Sequence, residues 1–173
     1  MRICVFLFLS LAFAATSHGS RLQQKDVSTL PHQQVEQKLN DSHPSSFYLY
    51  ATRLFGEEAK EDAVFWFYVG ELRYRFYLTV NPKLPPEGDP ALFESLHEVV
   101  GTEVNGWAGS NPEVWAKEMQ RALDWDAANK NGFTSTFWHS KQWHETRSGL
   151  EKLQKYVLSN KAKILEDRKK NGL

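Results

Sequence analysis

The chain has 173 residues, with 21 basic and 21 acidic side chains, so its formal net charge at neutral pH is zero. No overall positive field is present to attract nucleic acid or an anionic membrane surface, and we expect neither as a partner. This length is sufficient for one domain with its own core, and the single cysteine, Cys4, excludes a disulfide within the chain.

The first residues have the pattern of a secretory leader. Arg2 precedes an almost wholly apolar stretch at 3–15, which ends in small residues typical of a cleavage site. We predict a signal peptide over 1–19, cleaved after Ala14 or Gly19, and therefore a secreted or periplasmic protein. The apolar stretch is shorter than the roughly 20 residues that cross a bilayer, so we expect no stable membrane anchoring.

Residues 20–44 differ in composition from the rest of the chain. They are rich in Gln, Ser, Asp and His, contain Pro31 and Pro44, and show little hydrophobic periodicity. Such a composition offers little apolar surface for burial, so we predict a flexible N-terminal arm. The predicted folded domain then covers 45–173.

The predicted domain begins with an amphipathic helix. Ser45 or Ser46 is a suitable N-cap, and Gly56 marks the end of the helix. Between them, apolar residues recur at i, i+3, i+4, i+7 and i+8, which is the spacing of one helical face. These residues are Phe47, Tyr50, Ala51, Leu54 and Phe55.

The next segment, 63–78, is open to two interpretations. Helical spacing is present in one set of apolar residues, namely Phe65, Val69, Leu72 and Phe76. From Leu72 to Val80, however, apolar residues alternate as in a strand, and Gly70-Glu71 fits the turn of a two-residue hairpin. The unbroken apolar run at 63–69 favours a helix that is buried on most of its faces. We therefore predict an all-α fold, and the alternative is an α+β fold with a hairpin at about 64–80.

Three further helices follow in the prediction. Asp89-Pro90 and Asn111-Pro112 are N-cap and first-turn pairs of the kind that start helices. A loop rich in aromatic and hydroxyl side chains at 133–142 precedes the last helix, which starts near Gln142. The sequence thus predicts a single all-α domain of about five helices, in which the first two form an αα-hairpin.

The hairpin region carries a local resemblance to repeat proteins. Over about 30 residues, its pattern resembles one helix–turn–helix unit of the tetratricopeptide or Sel-like repeat families. The matching positions are Tyr50-Ala51, Leu54-Phe55, Ala59, Ala63 and Trp66-Phe67. In those families, small and aromatic residues let two antiparallel helices pack closely. No second copy recurs at a fixed period, so the resemblance implies an αα-hairpin, with protein or peptide binding as its associated function.

Three charged residues, Glu71, Arg73 and Arg75, interrupt the most aromatic segment of the chain. If that segment is buried, these charges need partners, because an isolated buried charge costs several kcal/mol. One interpretation is a salt-bridge network with Glu94 or Glu98 of the third helix. The other is a groove in which the arginines bind a carboxylate or a phosphate, and on that basis all three are candidate ligand-binding residues.

Trp138 is the fourth candidate ligand-binding residue. It lies in the 133–142 loop, where no helical pattern requires its burial. Together with Phe133 and Phe137, it forms either part of the core or an exposed interaction patch.

His139 and His144 raise the question of a metal site, but their spacing disfavours one. Residues five apart on a helix point about 140° apart, whereas metalloprotease helices use a four-residue separation. Both histidines bind one ion only if His139 folds back from the loop. We therefore expect no metal and no other cofactor.

Motifs of several common enzyme classes are missing from the sequence, including G-x-S-x-G, the P-loop, the dinucleotide glycine fingerprint and H-E-x-x-H. We therefore predict an exported, non-catalytic helical protein that binds a protein or peptide, as an immunity protein, an inhibitor or an adaptor does. The alternative is an envelope-associated enzyme, such as a hydrolase, that uses an acidic residue or the His139 and His144 pair.

Overall fold

A computed structural model describes residues 22–173, and in this part of the chain all regular structure is helical, with no strand. The predicted all-α class is confirmed, although the described residues form eight helices and not about five. The helices are α1 (Gln24–Thr29), α2 (His32–Leu39), α3 (Ser45–Gly56), α4 (Lys60–Val80), α5 (Asp89–Ala108), α6 (Pro112–Ala128), α7 (Ser140–Ser159) and α8 (Lys161–Lys170). The predicted signal peptide at 1–19 lies outside the described residues.

The helix α4 is central to the fold. It contacts α3, α5, α6 and α7, and every residue from 63 to 74 is buried. With neighbours on all sides this helix needs no polar face, so its apolar residues do not follow a single helical stripe. The alternative of a hairpin at 64–80 is therefore wrong: the alternating aromatic side chains pack against surrounding helices and not within a sheet.

The helix α3 runs along α4 in the opposite direction, as in an αα-hairpin. Phe47, near the start of α3, lies against Gly70 in the second half of α4. At the other end, the carbonyl oxygen of Leu54 accepts a hydrogen bond of 2.9 Å from the backbone N–H of Ala59, just before α4. A Cβ atom at position 70 would lie 2.8 Å from the Cβ atom of Phe47, so this close approach requires glycine.

The residues before α3 include an N-terminal strap, 22–39, which packs on the domain. Where the sequence predicts a flexible arm at 20–44, the structure shows the two short helices α1 and α2. The apolar side chains that the strap buries are Leu22, Val27, Val35 and Leu39. Arg53 of α3 fixes the junction between the two helices, because its Nη1 donates to the carbonyl oxygens of Val27 at 2.9 Å and Leu30 at 2.7 Å. These few apolar contacts hold a segment whose overall composition is polar.

The starts of α5 and α6 lie at or within one residue of their sequence signals, although the N-cap residue of α5 is Gly88 and not the predicted Asp89. The helix α5 begins at Asp89 and α6 at Pro112, and Asn111 caps α6 by accepting a 3.2 Å hydrogen bond from the backbone N–H of Val114. The predicted last helix is divided at Asn160, where α7 ends and α8 begins. Among residues 22–173, no helix is both long enough and apolar enough to cross a bilayer.

Candidate functional site

The candidate residue Arg73 lies inside the protein, with only 2% of its surface exposed. Its Nε donates to Asp126 of α6 at 3.3 Å, and its Nη1 donates to Oδ1 of Asn40 at 3.1 Å. Its Nη2 donates to the carbonyl oxygen of Asn129 at 3.1 Å, and the guanidinium stacks on the Trp125 ring, 4.7 Å from the centroid. Arg73 is thus fully engaged by partners within the chain, which makes it a structural link between α4 and α6.

Glu71 and Arg75, the other two charges of this segment, pair with each other. Glu71 is buried, and its carboxylate accepts a hydrogen bond from Nε of Arg75. It also accepts hydrogen bonds from the Tyr48 hydroxyl at 3.1 Å and from Nδ1 of His97 at 2.9 Å. Half of the Arg75 side chain is exposed, and its guanidinium lies over the Phe93 ring, 4.9 Å from the centroid. The carboxylate therefore joins α3, α4 and α5.

The salt bridges that the sequence suggested with Glu94 or Glu98 are not formed. Arg75 pairs with Glu71 because residues four apart lie on the same helical face. Glu71 and Arg75 also line a groove of about 290 Å³ between α4 and α7. Two of the three predicted residues therefore reach a groove, whereas Arg73 does not line it.

The contacts between Glu71 and His97 shift the pKa values of both groups. Burial raises the pKa of Glu71, but the hydrogen bonds and charges of His97 and Arg75 lower it below its ordinary value of 4.5. The hydrogen bond to Glu71 raises the pKa of His97 above its ordinary value of 6.5, against the opposing effect of burial. The stability from Glu71 is therefore present above its ordinary pKa and is lost as the pH falls through the lowered value. The stability from His97 is present below its ordinary pKa and is lost as the pH rises through the raised value.

We expect the substitution His97→Gln to isolate the contribution of the histidine charge, because glutamine still donates a hydrogen bond but stays neutral. The wild type should be more stable than the variant by about 0.5–1 kcal/mol at about pH 5.5 and by less at about pH 9. The effect is small because 37% of the His97 side chain is exposed to solvent. Urea unfolding followed by tryptophan fluorescence at both pH values measures the difference. If the wild type and the variant differ in free energy of unfolding by the same amount at both pH values, the charge of His97 contributes nothing to stability.

The fourth candidate, Trp138, lies on the aromatic loop, 131–139, which leads into α7. Phe137 is 79% exposed and Trp138 is 77% exposed, more than any other large apolar side chain in the described part of the chain. Their ring centroids are 4.8 Å apart and the ring planes are nearly perpendicular. Phe133, by contrast, is partly buried and packs edge-on against His43 with ring centroids 5.0 Å apart. The loop therefore contributes one aromatic ring to the interior and presents two to solvent.

The base of the aromatic loop is fixed by hydrogen bonds. Buried Asn131 accepts hydrogen bonds from the backbone N–H groups of Phe133 at 3.2 Å and Thr134 at 2.9 Å. The backbone N–H of Gly132 donates to the carbonyl oxygen of Asn40 at 2.9 Å, which ties the loop to the residue that follows the strap. Phe137 and Trp138 thus extend from a structured base.

The two histidines considered for a metal site lie at the start of α7. His139 occupies the N-cap position, and His144 is exposed, with its ring centroid 4.8 Å from that of Trp143. Across residues 22–173, no group of three or more His, Cys, Asp or Glu side chains is arranged to hold a metal ion.

The structure also contains a site that the sequence analysis missed. A cleft of about 520 Å³, here named the α2–α6 cleft, lies between α2, α3, α4 and α6. Its aromatic lining is formed by Phe65, Trp66 and Trp125, and its polar lining includes His32, Glu36, Tyr50, Glu57, Asp62 and Arg121. The residues come from four helices and from the turn between α3 and α4, and α2 lies in the segment predicted to be flexible. The only sequence signal for α2 is the four-residue spacing of Val35 and Leu39.

The predicted ligand-binding residues thus occupy three environments. Arg73 is buried, Glu71 and Arg75 line the groove between α4 and α7, and Trp138 is exposed on the aromatic loop. Comparison of the chain with protein-family models, curated proteins and solved structures gives no match. We therefore argue function from the geometry of these sites.

Proposed function

We propose that this chain is an exported, non-catalytic helical protein that binds a partner protein, with Phe137 and Trp138 as the anchors of the contact. The observation that carries the proposal is the exposure of these two adjacent rings, at 79% and 77%. Large aromatic side chains contribute a disproportionate share of the binding energy in protein interfaces, where a pocket of the partner desolvates them. Export is proposed from the leader pattern at 1–19.

The fixed base of the aromatic loop supports this proposal. Hydrogen bonds within the loop and to Asn40 restrict the backbone that carries the two rings. A contact surface that is already ordered loses less conformational entropy on binding, so more of the contact energy appears as affinity. Immunity proteins, inhibitors and adaptors all act by binding a partner, so the proposal covers each of these three classes.

A partner on the aromatic loop is also placed to reach the groove that contains Glu71 and Arg75. Trp138 lies just before α7, and Thr146 of the same helix lines that groove. The helical part of the interval between them, from Ser140 to Thr146, rises about 9 Å. The half-exposed guanidinium of Arg75 in that groove is available for a carboxylate of the partner.

We expect the double substitution Phe137→Ser with Trp138→Ser to reduce partner capture by at least about 30-fold, the effect of losing one strong anchor. Both side chains are exposed, so the melting temperature should stay within about 2 °C of the wild type. The mature protein is immobilised and incubated with extracellular or periplasmic extract. The proteins that it captures are then quantified by mass spectrometry. The affinity of each captured protein is then measured in purified form.

The matched control is Tyr156→Ser, which removes another exposed aromatic side chain, 55% exposed, in the last turn of α7. It should leave capture unchanged. Equal capture by the double variant and the wild type would contradict the proposal, and so would equal losses in the double variant and the control.

A further inference from the structure

We propose that the α2–α6 cleft binds an organic cation, an alkylammonium group held between its aromatic lining and the carboxylate of Glu36. The site is separate from the aromatic loop and does not depend on the proposed function. Its elements are an aromatic surface, an excess of carboxylates and a volume suited to a small ligand.

The aromatic lining of the cleft is continuous. The ring centroids of Trp66 and Trp125 are 5.1 Å apart, and those of Phe65 and Trp66 are 4.7 Å apart. Trp66 is only 5% exposed, and the Arg73 guanidinium already lies over one side of the Trp125 ring. The partly exposed Trp125 is therefore the main aromatic surface left for a ligand, and tryptophan offers a cation a stronger face than phenylalanine does. The cleft already shows this interaction, because the guanidinium of Arg121 lies 4.0 Å from the centroid of the Phe65 ring.

The charges of the cleft favour a positive ligand. Three carboxylates, those of Glu36, Glu57 and Asp62, line it together with the guanidinium of Arg121 and the imidazole of His32. Nη1 of Arg121 is engaged by Asp62 at 2.7 Å, and Nε of Arg53 is engaged by Glu57 at 2.8 Å.

Glu36 is the carboxylate left for a ligand. Within residues 22–173, no Lys, Arg or His lies within salt-bridge distance of it, and its hydrogen bond comes from the Tyr50 hydroxyl at 2.9 Å. The ring of Tyr50 contacts Trp66, with centroids 5.6 Å apart, so the carboxylate lies beside the aromatic lining. An alkylammonium ligand on the tryptophan surface therefore has a counter-charge within the same cleft.

A hydrogen-bond chain fixes the side chains around Glu36. Nδ1 of His32 lies 3.0 Å from the Tyr50 hydroxyl, and Nε2 of His32 lies 3.1 Å from Glu57. Burial, followed by the hydrogen bond to Glu36, raises the pKa of Tyr50, so its hydroxyl stays protonated and neutral. Tyr50 therefore donates to Glu36 as a neutral hydroxyl, and the negative charge on this side of the cleft stays on the Glu36 carboxylate.

The volume of the cleft, about 520 Å³, lies within the usual range for small-molecule sites. It accommodates an alkylammonium group together with a hydroxyl tail or a stretch of peptide backbone. The same chemistry is therefore available from two sources, a free small amine or a lysine side chain of a peptide.

The test uses three probes on the mature full chain at constant ionic strength: choline chloride, Nα-acetyl-lysine methylamide and 3,3-dimethylbutan-1-ol. The last is a neutral molecule with the shape of choline. Binding is followed by calorimetry and by the change in total tryptophan fluorescence, to which Trp66 and Trp125 of the cleft contribute. We expect saturable binding of at least one cation and at least about tenfold weaker binding of the neutral alcohol. Binding of choline and not of the lysine amide indicates a small free organic cation as the ligand. Binding of the lysine amide, with or without choline, indicates that a peptide side chain fits the cleft.

The variant Glu36→Gln keeps the size of the side chain and its ability to accept from Tyr50, but it removes the charge. We expect it to weaken binding of the cation by about tenfold. The control Glu103→Gln makes the same change at an exposed position of α5 and should have no effect. The proposal is overturned if no probe saturates, if the alcohol binds as tightly as the cations, or if the two variants behave alike.

Discussion

Changing Asp126 to asparagine is expected to lower the free energy of unfolding by about 3–5 kcal/mol, because it leaves a buried charge without its partner. Asp126 is 4% exposed and pairs with Arg73, whose other hydrogen-bond partners are neutral oxygens. The same carboxylate accepts hydrogen bonds from Nε1 of Trp143 at 2.8 Å and Nη1 of Arg147 at 3.3 Å. Asparagine removes the negative charge and places an NH2 group among these donors, so at least one of them loses its acceptor.

The measurement is urea unfolding at neutral pH, followed by tryptophan fluorescence. Asp124→Asn is the matched control: Asp124 is exposed on the same helix, accepts one hydrogen bond from Gln120 at 2.8 Å, and should change stability by less than about 0.5 kcal/mol. A double variant, Arg73→Met with Asp126→Leu, should lose less stability than the sum of its two single substitutions, because it removes both charges together. Additive losses would show that the two side chains are not energetically coupled.

The substitution Gly70→Ala is expected to destabilise the protein by about 1–3 kcal/mol, although alanine is the better helix former. The added Cβ atom would lie 2.8 Å from the Cβ atom of Phe47 and 3.2 Å from the Cδ2 atom of Tyr48. The Cβ atom of Phe47 is attached to the backbone of α3 and cannot rotate away. The two helices of the αα-hairpin must therefore separate, and their close packing is reduced along the contact.

Gly149→Ala provides the opposite case on α7. A Cβ atom at position 149 would have no neighbour within 4 Å, so the substitution brings only the helix preference of alanine, about 0.5–1 kcal/mol of added stability. Thermal unfolding of the two variants beside the wild type compares them directly. If both variants shift the melting temperature in the same direction, the close packing of α3 on α4 does not require glycine at position 70.

The sequence predicts those helices whose signals are local. The Asp-Pro and Asn-Pro pairs mark the starts of α5 and α6, and the apolar run at 63–69 distinguishes a buried helix from a hairpin. The N-terminal strap is missed, because its few apolar residues look insufficient until the surface that receives them is known. The division at Asn160 has no strong breaker in the sequence, so α7 and α8 are predicted as one helix.

The candidate sites are harder to predict, because they depend on which helices become neighbours. Charge and burial together show that Arg73 needs a partner, but its carboxylate, Asp126, lies 53 residues later in the chain. Trp138 is identified as a possible surface residue because no helical stripe includes it, yet only the fold shows that Phe133 turns inward while Phe137 and Trp138 do not. The α2–α6 cleft combines four helices, and no spacing along the chain indicates it.

The position of α2 has a thermodynamic consequence. His32 and Glu36 both belong to this short helix, so the α2–α6 cleft is complete only while the N-terminal strap stays docked. A ligand that contacts both α2 and the helices opposite it stabilises the docked strap by mass action. Once the ligand is in excess over its Kd, this stabilisation increases with the logarithm of its concentration. Occupancy of the cleft and docking of the N-terminal strap are thus linked equilibria, and a measurement of either one reports on the other.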